Sequence, residues 1–475
     1  MVWGIKTLKF LLFGTGEYYE RYKKWFAKED VLALLDNSLV KQNTCFDGIK
    51  VLSPKEGIQL PYDVIVILSF YVKEMKAQLL DLGVAKEKIY HFYDLHKLLY
   101  QEGIRKSVQY FGRAKELTKA DAVSGRKILL LSNDLSLGGP ALALFYTAKS
   151  LVKHGWQVVL ASMLDGPLRE KLLSEDVPVI IDNNLQIETM KESRWGKSFS
   201  LLLCNTINFY VFLSNRDVSI PVIWWLHDSA FFYDGVNKDS LRGIDRTNLW
   251  IATVGSVPEL AIRRFIPAID VVRLNYGVED NAVKRQKSIK DKTLKLHFVT
   301  IGYIEWRKGQ DILIEAVKLL PEESRKKAEF YLVGQNTSMM AQEIKSNIED
   351  IPEIKMTGPV DRDGIIHIFD LADVLVCPSR EDPMPTVAAE AMMFGVPCLV
   401  SSVTGTAEYI QDERNGMIFP SEDVKELSLK LGWCIEHKYR LKQMGKEART
   451  LFERYFSMNV FEKNLLHLTE KAVKS

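Results

Sequence analysis

Two carboxylates, Asp382 and Glu390, stand with seven residues between them in the stretch SREDPMPTVAAEAMMFGVPCLV. The apolar run ADVLVCPS reads as a buried strand, and TVAAEAMMF as a helix closed by Gly395 with Pro397 beyond it, the usual stop signals. PCLVSS is the next strand. The loop REDPMP therefore sits where a strand ends and a helix begins. Such a terminus offers unpaired N–H groups and a partial positive charge to an anion, and Thr386 is a candidate cap. With Asp382 in the loop and Glu390 on the second helical turn, the spacing predicts a phosphate at the helix end and sugar hydroxyls held by a carboxylate on either side. That is the outline of a nucleotide sugar. Each residue alone has a plainer reading, Asp382 as a cap and Glu390 as part of a solvated face.

Elements must hold these residues in place. Residues 1–103 alternate apolar runs (KFLLFG, VLALLDN, DVIVILS) with helical segments (YYERYKKWFAKE, VKEMKAQLLDLG), which predicts a small α/β domain. A charged connection, 104–124, ends at the Ser124-Gly125 pair. Residues 125–290 read as strands KILLLS, WQVVLASM, VPVIID, FSLLLCNT, PVIWWLHD, LWIATVG and DVVRLNYG, and residues 291–475 as KLHFVTIG, AEFYLVG, IKMTG, ADVLVCPS, PCLVSS and NGMIFP, with helices between them. Near-continuous apolar strands predict parallel sheets covered on both faces. Ligands of such sheets bind beyond the carboxyl ends of the strands, so two facing sheets make a cleft with loops from both. The closing segment MNVFEKNLLHLTEKAVKS is an amphipathic helix with no strand after it.

Composition narrows the class. With 475 residues the chain exceeds a single core, and 47% apolar residues, 26% charged residues and a net charge of +2 describe an ordinary globular protein. There is no basic excess of the kind nucleic acid selects, so no nucleic-acid partner is expected. Cys45, Cys204, Cys377, Cys398 and Cys434 lie in apolar stretches without a C-x-x-C, which predicts buried, reduced thiols. No segment approaches a membrane span and the amino terminus lacks a signal-peptide core, so a cytoplasmic protein is expected.

The quoted stretch resembles the signature of the retaining glycosyltransferases of family 4, whose two-domain architecture is called GT-B: D-x7-E from Asp382 to Glu390 stands for the family's E-x7-E, followed by EAMMFGVP. The resemblance extends to TIGYIEWRKGQDILIEAVKLL, FYLVGQN, VTGTAEYI with Glu408, RNGMIFP, SLGGPALALFYTAKSLVKHGWQVVL and IWWLHDS, and runs from about Arg126 to Ser475. It implies two facing Rossmann-like domains: an acceptor-side domain over 125–290 and a nucleotide-sugar donor domain over 291–475. It also implies Glu390 on the donor's ribose, Asp382 on the transferred sugar, and Lys308 with Arg307 on the diphosphate, with Pro383, Met384, Pro385 and Thr386 lining the donor site. Gly138 and Gly139 would admit the phosphates to the backbone, and His227 would hydrogen-bond the sugar near the reacting centre. Asp382, His227 and Lys308 are then the candidate catalytic residues. Charge left on the diphosphate would be met by these cations and the helix N–H groups, so no metal and no cofactor are expected, the donor being UDP- or GDP-linked.

Two departures stand out. Asp382 is one methylene shorter than Glu, and Gly302-Tyr303 occupies the place where many relatives have Gly-Arg, leaving Arg307 as the replacement cation. Lys308 as an ordinary first-turn lysine and His227 as a core histidine are the plainer readings. The expected activity is metal-independent hexosyl transfer to a glycan, lipid-linked or protein hydroxyl in polysaccharide or glycoconjugate assembly. The rival readings are a nucleotide-sugar hydrolase or epimerase, and a non-catalytic nucleotide-sugar-binding subunit.

Outside the resemblance, FLLFGTGEYYERY sets Gly14 and Gly16 between a strand and a helix, with Asp36 ending the next strand. This is half of a dinucleotide-binding fingerprint with Tyr19 at the third glycine, and it predicts a Rossmann-like domain with either a second nucleotide site or a packing role. RWGK at 194–197 and AIRRFI at 261–266 mix cations with bulky apolar groups, which suggests peripheral contact with the inner face of a membrane.

Overall fold

The computed structural model describes residues 8–23, 26–69, 71–91, 108–119, 126–185, 188–193, 195–233, 236–282, 295–335 and 339–474. The chain divides into two compact units, Met1–Lys106 and Ser107–Ser475.

In the first unit, β1 (Phe10–Phe13), β2 (Val31–Leu35), β3 (Cys45–Phe46), β4 (Ile49–Leu52), β5 (Val64–Ile67) and β6 (Ile89–His91) form one sheet in the order β3-β4-β2-β1-β5-β6. All neighbours pair in parallel except the two-residue edge β3. Phe13 lies opposite both Leu35 and Ile67, and these apolar side chains are fully buried. Gly14 turns the chain out of β1 at φ +112°, where a Cβ would stand 2.5 Å from the Leu68 carbonyl oxygen. Only glycine fits there. Cys45 is exposed on β3, contrary to the expectation that every cysteine is buried, because that edge strand is too short to have a covered face; the other four cysteines are buried, and all five are free thiols.

The second unit holds two sheets. The first comprises β7 (Gln109–Phe111), β8 (Lys127–Ser132), β9 (Gln157–Ser162), β10 (Val179–Ile181), β11 (Leu201–Asn205), β12 (Val222–Leu226), β13 (Leu249–Thr253) and β14 (Val271–Arg273), ordered β14-β13-β12-β11-β8-β9-β10-β7. Only β7 runs antiparallel. The stretch read as a connection thus contributes an edge strand, with Tyr110 opposite Ile180, and its predicted end at Ser124-Gly125 lies outside the described residues. The second sheet comprises β15 (Leu296–Ile301), β16 (Ala328–Val333), β17 (Ile354–Gly358), β18 (Val374–Cys377), β19 (Cys398–Ser401) and β20 (Gly416–Phe419), all parallel and ordered β17-β16-β15-β18-β19-β20. Strands such as LLLCN and VIWWL are buried along their whole length, as covered parallel strands require. These are the doubly wound sheets of the GT-B fold.

The closing helix, Met458–Lys474, finds its cover on the first of these two sheets. Phe461 stacks on Trp225 at 5.9 Å, and a Cβ on Gly277 would meet Phe461 at 2.7 Å. Lys153 and Glu462 pair at 3.0 Å on the rim. Chain that follows the second sheet therefore packs against the first. Among the described residues no helix is long and apolar enough to cross a membrane.

Candidate functional site

Beyond β15 the chain turns at Gly302, passes a 3₁₀ turn, Trp306–Lys308, and enters the helix Gln310–Leu319 through Gly309 at φ +69°. A Cβ on Gly309 would lie 2.1 Å from the carbonyl oxygen of Pro378, just beyond β18. That close approach sets Lys308 beside the loop between β18 and the helix Thr386–Met393. Lys308 Nζ lies 2.6 Å from Asp382 Oδ2, and Arg307 stands 3.9 Å from the same oxygen. Asp382 is buried. Arg307 also donates to Glu305 Oε1 at 2.8 Å and to the Glu381 carbonyl at 3.2 Å. Burial works against its charge, but Asp382, Glu305 and Glu381 together hold its pKa above the usual guanidinium value. Arg380 braces the loop from outside through Asp311 at 2.6 Å, Glu422 at 2.8 Å and the Trp306 ring at 4.9 Å.

Gly309→Ala is expected to lose about 2–4 kcal/mol of stability, from the left-handed backbone and the Pro378 contact combined. Denaturant midpoints check it, and a variant as stable as wild type contradicts the packing argument.

Within the helix Thr386–Met393, positions 386, 387 and 390 are half-exposed while Ala388, Ala389 and Ala391–Met393 are buried, so Thr386 and Glu390 share the open stripe. Thr386 is the first helical residue and Pro385 occupies the cap position without a side-chain bond, which corrects the expectation that Thr386 caps the helix. Pro383, Met384 and Pro385 are buried. A Cβ on Gly255, at the end of β13, would meet Pro383 O at 2.8 Å and the Met384 methyl at 3.0 Å, so this part of the loop packs against the opposing sheet's turn.

The facing wall comes from the first sheet of this unit. His227 follows β12, is buried, and places Nδ1 2.7 Å from the Tyr276 hydroxyl. Burial pulls its pKa down to about 3, so the ring is neutral. Asp228 is buried too and accepts from the Ile207 N–H at 2.7 Å. Beside them, Ala230 N–H donates to Glu381 Oε1, which joins the His227 strand end to the Asp382 loop. Arg273–Glu408 at 3.2 Å and Asn275–Tyr409 at 2.8 Å tie the two walls further. The helix Gly139–Lys153 begins at the same strand ends, with exposed Gly138 at its cap and open space where Gly139 would carry a side chain.

Burial raises Asp228 from the ordinary 3.8 to about 7, and the N–H groups of Ile207, His227 and Asp228 offset only part of that. The folded state then keeps a proton that the unfolded chain has released. The stability this proton brings is complete below about pH 4 and is lost as pH rises through 7. His227 acts with the opposite sign: the stability its neutral ring brings is complete above about pH 6.5 and is lost as pH falls towards 3. The difference between wild type and Asp228→Asn isolates the carboxylate: the gain in melting temperature is expected to be larger at pH 8 than at pH 5, and an equal gain at both contradicts the assignment.

The structure brings Asp382, Lys308 and Arg307 into contact, with the His227 strand end joined to them through Glu381. Glu381, Asp228 and Tyr276 were not singled out in the sequence, although Glu381 adjoins Asp382 and Asp228 adjoins His227. In the first unit Gly16 is exposed and caps the helix Glu17–Tyr22, while Asp36 bonds inward: Oδ2 accepts from the Thr15 N–H at 3.2 Å and from the Thr15 hydroxyl, and Oδ1 from the Ser38 N–H at 2.9 Å. Lys41 Nζ adds a contact at 3.4 Å. The Asp36 carboxylate thus braces its own loop. Of the two basic clusters, Arg194 lies outside the described residues; Trp195 and Ile266 are buried and Phe265 stacks on Tyr233, so their bulky groups face inward.

Residues 280–451 match the glycosyl transferases group 1 family, residues 124–247 glycosyl-transferase family 4, and residues 6–90 the C2185-like amino-terminal family. The chain is 21% identical to spore coat protein SA of Bacillus subtilis over 71% of this chain and 96% of that one. It is 26% identical to D-inositol 3-phosphate glycosyltransferase of Xylanimonas cellulosilytica over 32% of this chain, spanning only 37% of that relative's length. Among solved structures, Anabaena Alr3699/HepE in complex with UDP superposes with a TM-score of 0.62 at 19% identity, over 73% of this chain and all of that one, a likeness of fold.

Proposed function

We propose that this chain, a glycosyltransferase with a family 4 domain at 124–247 and a group 1 domain at 280–451, moves a sugar from a nucleotide-diphosphate sugar to a hydroxyl acceptor with retention of anomeric configuration. The observation that carries this reading is the contact of Lys308 and Arg307 with buried Asp382 where the β15 and β18 loops meet, opposite His227. Without donor, Asp382 neutralises Lys308. A diphosphate entering there exchanges one anion for another: Lys308 turns to the phosphate, and the freed carboxylate of Asp382 accepts from hydroxyls of the sugar. Glu390, on the open stripe of the helix Thr386–Met393, takes the ribose hydroxyls.

The bond between anomeric carbon and phosphate oxygen breaks with its electron pair going to the diphosphate. Lys308, Arg307 and the N–H groups at the start of that helix stabilise the charge as it develops. The acceptor oxygen bonds to the same face of the carbon, and its proton passes to the departing phosphate oxygen. These cations supply the neutralisation that a metal supplies elsewhere. Because solved structures of Anabaena Alr3699/HepE contain UDP and UDP-glucose, UDP-glucose is the first donor to test, followed by GDP-linked sugars. The acceptor is a glycan, lipid-linked or protein hydroxyl in polysaccharide or glycoconjugate assembly, reached from the cytoplasmic side.

The test is release of nucleoside diphosphate from a donor panel, with and without acceptor, by wild type, Lys308→Ala and Glu390→Ala. Loss in both variants supports the reading; full activity in both removes it.

A further inference from the structure

His227 is enclosed by rings. Trp225 packs on it with centroids 4.3 Å apart, and Tyr276 stacks at 5.2 Å with an interplanar angle of 20°. Its Nδ1 has the Tyr276 hydroxyl at 2.7 Å, whereas Nε2 is buried without a hydrogen-bond partner among the described residues. A neutral imidazole has one donating and one accepting nitrogen, and the partner of one nitrogen decides the role of the other. Tyr276 is itself buried, and among the described residues the hydrogen bond of its hydroxyl goes to His227. If Nδ1 carried the proton and the phenol only accepted, both the phenol's proton and the Nε2 lone pair would be buried without a partner, whereas the reverse arrangement leaves the Nε2–H alone unpaired, so the first is the costlier. The phenol therefore donates to Nδ1, and the ring proton resides on Nε2.

We infer that Tyr276 is a positioning residue that fixes His227 as the Nε2–H tautomer, so that the imidazole offers a substrate oxygen a hydrogen-bond donor rather than a base. The tautomer stands on the geometry alone; that the oxygen belongs to the transferred sugar or its acceptor rests on the transferase reading. A donor at this place suits the chemistry, since a same-face substitution passes the acceptor's proton to the leaving phosphate and needs no base from the protein. Asp382 and Asp228 are near enough to Tyr276 for their charges to oppose its ionisation, after burial itself, so the phenol stays a neutral donor.

The test is 15N NMR of imidazole-labelled full-length protein, read beside steady-state kinetics. In wild type, Nε2 of His227 should resonate as a protonated nitrogen and Nδ1 as an unprotonated one. Tyr276→Phe should blur that assignment and lower kcat about tenfold, the scale of one neutral hydrogen bond, with donor KM unchanged. His227→Gln, which supplies an N–H but cannot take a proton, should retain clearly more activity than His227→Ala. A protonated Nδ1 in wild type, a Tyr276→Phe protein with unaltered nitrogens and kcat, or a Gln variant as inactive as Ala would overturn the inference. A wild type that transfers nothing from any donor would remove the transferase reading instead, and the nitrogen shifts would still decide the tautomer.

Discussion

Lys308→Ala is expected to lower kcat/KM for a nucleotide-sugar donor by about 10²–10³-fold, the cost of removing one preorganised group from a developing anion. The loss should fall mainly on kcat, because the charge on the diphosphate is greatest as the bond to the sugar breaks. Arg307 cannot take over, since it stands 3.9 Å from Asp382 and is held by Glu305 at 2.8 Å. The same substitution leaves buried Asp382 without its 2.6 Å partner, which should cost about 3 kcal/mol of stability. Two further variants separate the effects. Lys308→Arg keeps a cation for Asp382 and should recover most of the stability but little of the rate, because a planar fork does not replace a compact ammonium. Lys308→Ala/Asp382→Ala removes both charges of the pair and should recover stability without rate. Initial rates of diphosphate release and denaturant midpoints read the two quantities separately.

Glu390→Ala is expected to raise donor KM about a hundredfold with a smaller change in kcat. A carboxylate that accepts from two ribose hydroxyls makes two charge-assisted hydrogen bonds, each worth about 1.5–3 kcal/mol. The ribose is remote from the bond that breaks, so these contacts serve ground state and transition state alike. Glu390→Gln, which keeps an acceptor and loses the charge, should fall between. A selective loss of kcat in Glu390→Ala would move this residue from the ribose to the reacting centre. The helix itself should survive, because its buried side is Ala388, Ala389, Ala391 and Met392.

The elements nearest the chemistry were those most legible in the sequence. ADVLVCPS, PCLVSS and KLHFVTIG are long apolar runs bounded by glycine or proline, and they fold as β18, β19 and β15. Gly309 marks the turn that delivers Lys308, and its neighbour in space is the Pro378 carbonyl, which no local pattern names. Short or polar strands were not legible. β7 is three residues, QYF, inside a charged connection, and it becomes a strand because β10 supplies an edge to pair with. The two residues of β3 likewise carry no periodicity. Contacts across the cleft were hidden for a different reason. Glu381 meets Ala230 across 151 residues of chain because two sheets face each other, and Tyr276 meets His227 across 49 because both follow strands of one sheet, β14 and β12. In the first unit the G-x-G and Asp36 pattern is present, yet the carboxylate is bound to Thr15 and Ser38, a use that spacing alone does not separate from ribose binding.

The most direct test of the central claim is a crystal structure of the full chain with UDP bound. Diphosphate oxygens are expected within about 3 Å of Lys308 Nζ, facing the start of the helix Thr386–Met393, with the 2.6 Å contact between Lys308 and Asp382 opened. A diphosphate seated elsewhere, with Lys308 still closed on Asp382, would contradict it.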